Sequence, residues 1–179
     1  MLTKKLPNGI NVRHATLADI DSYRALRLEA LQNYPSAFGQ DYDENLLRPK
    51  EYWEKVLTIN SEEQALFIAE QNGQLIGMTG IFRSLSRKSF HNATIGGVYV
   101  KPEWRGYRIS EALIRSCLDW AKQHGVAIVK LAVATNNLQA VSCYERCGFT
   151  TYGTEPKAIL HDGMYYDEYL MAIEICSTS

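Results

Sequence analysis

The sequence predicts a mixed α/β (α+β) fold, in which a mostly antiparallel sheet of about six to seven strands is flanked by about four helices. Residues 65–83 contain two apolar runs on either side of Asn72-Gly73, a pair typical of a tight hairpin turn. A strand-like run at 93–100 is followed by an amphipathic helix and another apolar run, which indicates a parallel crossover. Hairpins and a crossover together predict one mixed sheet with helices packed on it.

The first part of the chain predicts one strand and two helices. Residues 10–14 alternate apolar and polar side chains, as a strand does. Thr16 is suited to cap a helix because an acidic residue follows three positions later, and Pro35 ends that helix. The next segments are an irregular stretch at 34–49 and a short helix at 49–57.

Helices and strands alternate in the second half of the chain. Apolar side chains at three- and four-residue steps predict a helix over 110–124, and Gly125 is placed to end it. The remaining predicted elements are a strand at 127–134, a helix at 137–146 stopped by Gly148, and strands at 149–153 and 164–174.

Length and composition fit a single domain over residues 1–179. Hydrophobic residues make up 46% of the chain, the net charge is −1 and the isoelectric point is about 6.4. No excess of positive charge exists to bind nucleic acid or an anionic membrane. The apolar runs are too short to span a bilayer, and the first residues do not resemble a secretion signal. We therefore expect a cytoplasmic protein.

The chain has four cysteines and no CxxC pair. Cys143 and Cys147 are four residues apart and can share a helix face, but the nearest histidine in sequence, His161, lies fourteen residues beyond Cys147. We expect buried or half-buried free thiols rather than a metal site or a disulfide.

Residues 102–113, PEWRGYRISEAL, join a strand to a helix and carry the first candidate site. The first backbone N–H groups of a helix have no partner within the helix, and they carry the positive end of its dipole. Arg105 and Arg108 add two charges there, and Gly106 allows a ligand to approach the backbone. The segment suits a pyrophosphate; the alternative is a basic helix start that contacts only solvent.

Residues 135–149, TNNLQAVSCYERCGF, carry the second candidate site. Asn137, Ala140 and Tyr144 lie three and four residues apart and share one helix face. Asn137 can hydrogen-bond an amide, and Tyr144 places a hydroxyl two turns farther along. The alternative is that Tyr144 is an ordinary core tyrosine.

Together these segments resemble the GNAT acetyltransferase superfamily. The acetyl-CoA motif of that family is a strand, then Val-x-Pro, then Arg/Gln-x-x-Gly-x-Gly/Ala at a helix start, and here it reads VYVKPEWRGYRISEAL from Val98. Its second motif, Asn-x-x-Ala-x-x-x-Tyr-x-x-x-Gly-Phe, is matched in full over 137–149. The closing segment 161–171 resembles the C-terminal hairpin of bacterial small-molecule and peptide N-acetyltransferases.

The resemblance implies an acetyl-CoA-dependent N-acetyltransferase that works by direct transfer in a ternary complex, without a metal. Val98 and Val100 offer backbone groups to the pantetheine arm, the Val100 N–H stabilises the oxyanion, and Tyr144 protonates the departing thiolate as general acid. The cofactor-binding residues implied by this resemblance are Val98, Tyr99, Val100, Arg105, Gly106, Tyr107, Arg108, Ile109, Ser110, Asn137 and Tyr144.

The sequence departs from the family pattern in two places, the later glycines of the first motif and the catalytic general base. Arg108 and Ser110 replace the later glycines of the first motif. The strand position where relatives often place a glutamate falls within 95–97, Ile-Gly-Gly, where the glycines leave room for substrate or mark a bulge. Four side chains remain as candidate bases beside a water relay to solvent: His91, Glu29, Asp167 and Glu168.

The acceptor pocket is expected between the 34–42 loop and the 161–169 hairpin. Its aromatic walls are Tyr34, Phe38, Tyr42, Tyr165 and Tyr166, and Asp41, Asp43 and Asp167 attract a cation. The alternative is that these aromatic residues only pack the loop down. An acidic, aromatic rim favours a polyamine, an amino acid or a peptide N-terminus as acceptor. The sequence also leaves a homodimer open. The rival function is a non-catalytic acyl-CoA-binding sensor or scaffold.

Overall fold

The computed structural model describes residues 4–58 and 62–175, and the described chain forms eight strands and five α-helices. The strands are β1 Lys4–Lys5, β2 Asn11–His14, β3 Gln64–Gln71, β4 Gln74–Arg83, β5 Asn92–Val100, β6 Ile128–Ala134, β7 Thr150–His161 and β8 Met164–Glu174. The helices are α1 Ile20–Asn33, α2 Tyr42–Leu46, α3 Lys50–Thr58, α4 Ile109–Gln123 and α5 Leu138–Arg146. No helix of the described residues is long and apolar enough to cross a membrane.

All eight strands belong to one mixed sheet, as predicted, in the order β1-β2-β3-β4-β5-β6-β8-β7. β5 and β6 pair in parallel across the α4 crossover, and every other neighbouring pair is antiparallel. Asn72 and Gly73 have φ values of 49° and 80° and form the predicted β3–β4 turn. The left-handed backbone suits these two residue types.

Three elements differ from the prediction. The sheet has eight strands rather than six to seven, because the two-residue β1 pairs with β2. β7 continues to His161 instead of ending at 153, and two irregularities in its pairing with β8 absorb its extra residues. The stretch predicted as irregular contains α2, whose first turn is capped by the Asp41 carboxylate accepting from the Glu44 N–H at 3.0 Å.

The two faces of the sheet are covered by different helices. Helices α1 and α3 pack on one face through Tyr23, Leu26 and Trp53, against buried residues that include Tyr99 of β5. Helix α4 packs on the other face through an apolar cluster that also takes in Tyr144 of α5. The second half of β5 therefore lies between α1 on one face and α4 on the other, and these elements form the candidate site.

Candidate active site

The edge of β5 that faces β6 is open over its second half. β5 pairs with β6 only from Asn92 to Thr94, after which no described strand pairs with that edge. Its other edge stays paired with β4 as far as Val100. The Lys101 N–H donates to the Ile76 carbonyl of β4 at 2.9 Å, and successive backbone groups alternate between the edges, so the Val100 N–H faces the open side. An extended, amide-bearing ligand can add to such an edge.

A bulge in β5 lies next to this open edge. Gly80 pairs with Gly96 while Met78 pairs with Tyr99, so β5 carries one extra residue there. Gly97 has φ of +66°, a left-handed conformation that favours glycine. Of the two roles predicted for the glycine pair, the structure shows the bulge, and a bulge bends its strand.

The loop between β5 and α4 contains a short 3-10 turn and then two left-handed residues. Gly106 has φ of 88° and Arg108 has φ of 58°. The first backbone bond of α4 runs from the Ala112 N–H to the Arg108 carbonyl at 3.1 Å, so the earlier N–H groups of the helix face the loop without a partner within the helix. An anion at this position is stabilised by the donors and by the dipole of α4.

Arg105 joins this loop to the end of β5 and to residues 34–42, which we call the acceptor loop. Its Nε donates to the Val100 carbonyl at 3.3 Å, and its guanidinium lies 4.8 Å from the centroid of the Tyr34 ring. Tyr107 packs on Trp104 with 6.1 Å between ring centroids and is 46% exposed. Arg105 therefore holds the loop in place, while Arg108 is an exposed charge at the start of α4.

Helix α5 presents the polar groups of the second motif. The side-chain oxygen of Asn137 accepts from the Ala140 N–H at 3.2 Å and caps the helix. The side-chain NH₂ group of Asn137 is then the end that can donate to a ligand. Tyr144 is buried, and its ring meets Phe149 edge-on. Burial raises the pKa of Tyr144, with smaller contributions from the nearby Cys143 and Cys147 thiols, so its hydroxyl stays protonated at neutral pH.

These elements enclose one cavity of about 450 Å³. Most of the predicted cofactor residues line it: Val98, Tyr99, Val100, Arg105, Gly106, Arg108, Ile109, Ser110, Asn137 and Tyr144. Two predicted acceptor residues, Tyr34 and Phe38, line it as well, whereas Tyr107 does not. The cavity thus connects the open strand edge, the start of α4 and the Tyr144 side chain.

Several residues that line this first cavity lie outside the set predicted from the sequence: Ala37, Trp104, Glu111, Gln139, Cys143 and Arg146. Arg146 forms an ion pair with Glu111 at 2.7 Å and ties α5 to α4. Gln139, Cys143 and Arg146 lie four and three residues apart and share a face of α5 with one another. None has that spacing from Asn137 or Tyr144, so those two residues gave no signal for them.

A second cavity of about 460 Å³ lies between the acceptor loop and β7. Phe38 lines both cavities, and Tyr42, Asp41 and Asp43 line the second. Tyr165 lines neither; it is 58% exposed, with the Lys157 ammonium 5.1 Å from its ring centroid. Phe38 therefore lies between the first cavity and the second, which is on the side where the acceptor is expected.

None of the candidate bases lines either cavity. Glu29 comes nearest to the site through Tyr99, whose hydroxyl donates to the Glu29 carboxylate at 2.8 Å, and Lys101 lies 3.2 Å from the same carboxylate. His91 precedes β5, so the strand separates it from Val100 by up to about 30 Å at about 3.3 Å per residue.

The two candidate bases in β8 have other contacts. The Asp167 carboxylate accepts from the Lys157 N–H at 2.7 Å. Glu168 lies opposite Glu155 on β7, and burial together with that neighbouring charge raises its pKa. Both side chains are thus engaged in contacts between β7 and β8.

The described cysteines, Cys117, Cys143 and Cys147, are free and buried as predicted, while Cys176 lies outside the described residues. A hydrogen bond between the Cys143 and Cys147 thiols raises the pKa of Cys143 and lowers that of Cys147. Among residues 4–58 and 62–175, no group of three or more histidine, cysteine or carboxylate side chains is placed to hold a metal ion.

The open edge of β5, the start of α4 and a buried tyrosine define a site for an elongated ligand with an anionic end and an amide-bearing arm. The chain belongs to the acetyltransferase (GNAT) family, whose sequence profile matches residues 24–149.

Curated relatives agree with this assignment, and a solved structure shares the fold. An uncharacterised N-acetyltransferase of Methanocaldococcus jannaschii is 26% identical over 77% of this chain and 59% of its own length. Mycothiol acetyltransferase of Streptomyces avermitilis is 30% identical over 84% of this chain and 46% of its own length. The chain thus spans about half the length of these relatives. A GNAT-family acetyltransferase structure from Streptococcus pneumoniae superposes with a TM-score of 0.82 at 23% identity, covering 93% of this chain and 99% of that one.

Proposed function

We propose that the protein is an N-acetyltransferase that moves the acetyl group of acetyl-CoA to a primary amine of a small molecule, an amino acid or a peptide N-terminus. The observation that carries the proposal is the single cavity that joins the open edge of β5, the start of α4 and Tyr144. Membership of the GNAT family supports the same reaction.

The residues of the first cavity fit the parts of acetyl-CoA. The diphosphate is suited to the unpaired N–H groups at the start of α4, and an added Cβ at Gly106 would meet no atom within 4 Å, so the backbone there is accessible. Arg108 contributes a positive charge beside those donors. The amides of the pantetheine arm are suited to the open edge of β5 and to the Asn137 amide group.

Two protein groups act on the thioester during acetyl transfer, the Val100 N–H and the Tyr144 hydroxyl. The amine nitrogen bonds to the acetyl carbon while the carbon–sulfur bond breaks, and the Val100 N–H is placed on the open edge to stabilise negative charge on the carbonyl oxygen. The Tyr144 hydroxyl gives its proton to the departing sulfur. The proton lost by the amine reaches solvent through water, since no candidate base lines either cavity.

The test is free-CoA release from acetyl-CoA with a panel of amines, amino acids and short peptides. Acetyl-CoA at millimolar concentration should also raise the melting temperature, because it binds the folded state. Binding without CoA release from any amine would assign the protein to the rival class, a non-catalytic acyl-CoA-binding protein. If acetyl-CoA does not raise the melting temperature, both the acetyltransferase and the acyl-CoA-binding function are ruled out.

A further inference from the structure

Arg27 of α1 is half-buried, has no carboxylate partner among the described residues, and has one buried nitrogen without a hydrogen bond. Its Nη1 is shielded from solvent and has no hydrogen-bond partner, and no carboxylate among the described residues lies within ion-pair distance of it. Its Nη2 donates to the Gln40 side-chain oxygen at 3.0 Å. A buried guanidinium is rarely left unpaired in a folded protein, because removing the charge from water is costly. Nη1 thus lacks an acceptor, and an anion is the acceptor that would also neutralise the charge.

The unpaired nitrogen faces the glycine bulge of β5. A Cβ added at Gly97 would lie 3.5 Å from Nη1 of Arg27 and within 4 Å of no other residue. A Cβ added at Gly96 would approach only Phe82, at 3.9 Å. Arg27 is thus the side chain that packs against the glycine bulge, next to Val98, which lines the first cavity.

Phe38 separates this position from both cavities. The Arg27 guanidinium lies 4.8 Å from the centroid of the Phe38 ring, which lines the first and the second cavity. Gln40, the partner of Nη2, lines the second cavity. Phe38 is half-buried on the segment after α1, and a turn of its ring is the movement that a ligand reaching Nη1 from the cavities would require.

We propose that the acceptor amine carries a carboxylate, which pairs with Arg27 beside the Gly96–Gly97 bulge once the Phe38 ring has moved. The inference rests on the proposed acetyltransfer function and narrows it to amino-acid-like acceptors. The planar guanidinium matches a carboxylate in two parallel hydrogen bonds, which lysine cannot reproduce. An amine without a carboxylate leaves the half-buried charge unpaired, and the site therefore discriminates against it.

The experiment compares amino acids with the amines that lack only their carboxylate. Each pair is assayed for kcat/KM with the wild type and with Arg27→Gln, Arg27→Lys and Arg24→Gln. The wild type should prefer the carboxylate member by about 10- to 100-fold, the range of a charge-assisted hydrogen bond. Arg27→Gln should bring the ratio close to one, and Arg27→Lys should fall between. Arg24→Gln, on the same helix and bonded to the Leu46 carbonyl, should keep the wild-type ratio.

The outcomes separate this inference from the proposed function. Equal acetylation of both members of each pair, or a preference that survives in Arg27→Gln, overturns the carboxylate site while acetyltransfer stands. If no amine releases CoA, the melting temperature of the CoA-saturated protein is measured with each pair. A rise with the amino acid that Arg27→Gln abolishes supports the site without turnover, and the absence of any difference within the pairs overturns it.

Discussion

The guanidinium of Arg105 lies 4.8 Å from the centroid of the Tyr34 ring and links the β5–α4 loop to the segment that follows α1. Its Nε also donates to the Val100 carbonyl at the end of β5. One side chain thus contacts the loop proposed for the phosphates, the strand proposed for the pantetheine arm and the wall of the acceptor side. Binding of the two substrates should therefore be coupled through Arg105.

Replacing Arg105 tests this coupling. Arg105→Gln should weaken acetyl-CoA binding by about 2- to 5-fold and should also raise the KM of the acceptor, since a cation–π contact of this kind is worth about 0.5–1 kcal/mol at a partly exposed site. Tyr34→Leu and the double variant complete a cycle measured by calorimetry and kinetics. Additive effects would contradict the coupling. Arg115→Gln, an exposed arginine of α4, is the control and should change neither constant.

Tyr144→Phe removes one hydroxyl from the first cavity. Turnover should fall by about 10²- to 10⁴-fold, the usual contribution of a general acid, while the Kd of acetyl-CoA should change little because the ring remains. Stopped-flow assays of CoA release and calorimetry measure the two quantities. Tyr152→Phe on β7, a tyrosine that is 57% exposed, is the matched control.

The pH profile gives a second test of Tyr144. Burial raises the pKa of this tyrosine above its ordinary value of 10.0, so the protonated acid persists beyond pH 10. Activity lost through deprotonation of Tyr144 should therefore appear only above pH 10 in kcat profiles. An alkaline limb below pH 9 that Tyr144→Phe abolishes would contradict this assignment.

Much of the fold could be predicted because its signals are local. The Asn72-Gly73 turn needs left-handed backbone at both positions, and these are residue types that tolerate it. Gly125 and Gly148 end their helices with φ values of 66° and 99°. Arg105 to Ser110 and Asn137 to Tyr144 were each predicted as one site because each set lies within a single loop or helix.

The remaining features depend on contacts between distant parts of the chain. β1 has two residues and no periodic pattern of its own, and it is recognised only by its pairing with Val12 and Asn11. Helix α2 is too short for a hydrophobic period, so the Asp41 cap was its only local signal. The contact of Arg27 with Phe38 and its approach to Gly97 join α1, the following loop and β5, and no local pattern predicts it.

Asp19 is the carboxylate on which acid stability should depend. It receives two hydrogen bonds of 2.8 Å from Arg13, which also pairs with Glu70. The Arg13 hydrogen bonds lower the pKa of Asp19 from 3.8 to about 2. Because the folded-state pKa is the lower one, the stabilisation is fully present above about pH 4 and is lost as the pH falls towards 2.

Asp19→Asn should reduce the free energy of unfolding by roughly 2 kcal/mol at pH 7, at 1.36 kcal/mol per pKa unit. The difference from the wild type should shrink towards zero near pH 2, which urea titrations at several pH values will measure. A penalty that stays constant down to that pH would show that packing, not charge, is responsible. Asp21→Asn, an exposed aspartate two residues farther on, should have a much smaller effect.

Arg108 holds the left-handed position where the family motif has glycine. Its φ of 58° costs a residue with a Cβ about 1–2 kcal/mol relative to glycine. Arg108→Gly should therefore raise the free energy of unfolding by about 1 kcal/mol, because part of the gain is lost to the greater freedom of glycine in the unfolded chain. Arg108→Ala removes the charge but keeps the strained backbone, and its stability should match the wild type.

The same two variants separate strain from charge in acetyl-CoA binding. Both should bind acetyl-CoA several-fold more weakly than the wild type at low salt if the guanidinium contributes, and the difference should narrow at high salt, where exposed charges are screened. Calorimetric titrations at two salt concentrations measure this. Arg108→Ala binding as tightly as the wild type would instead show that the guanidinium contributes nothing, and a difference between Arg108→Ala and Arg108→Gly would measure the effect of the left-handed backbone.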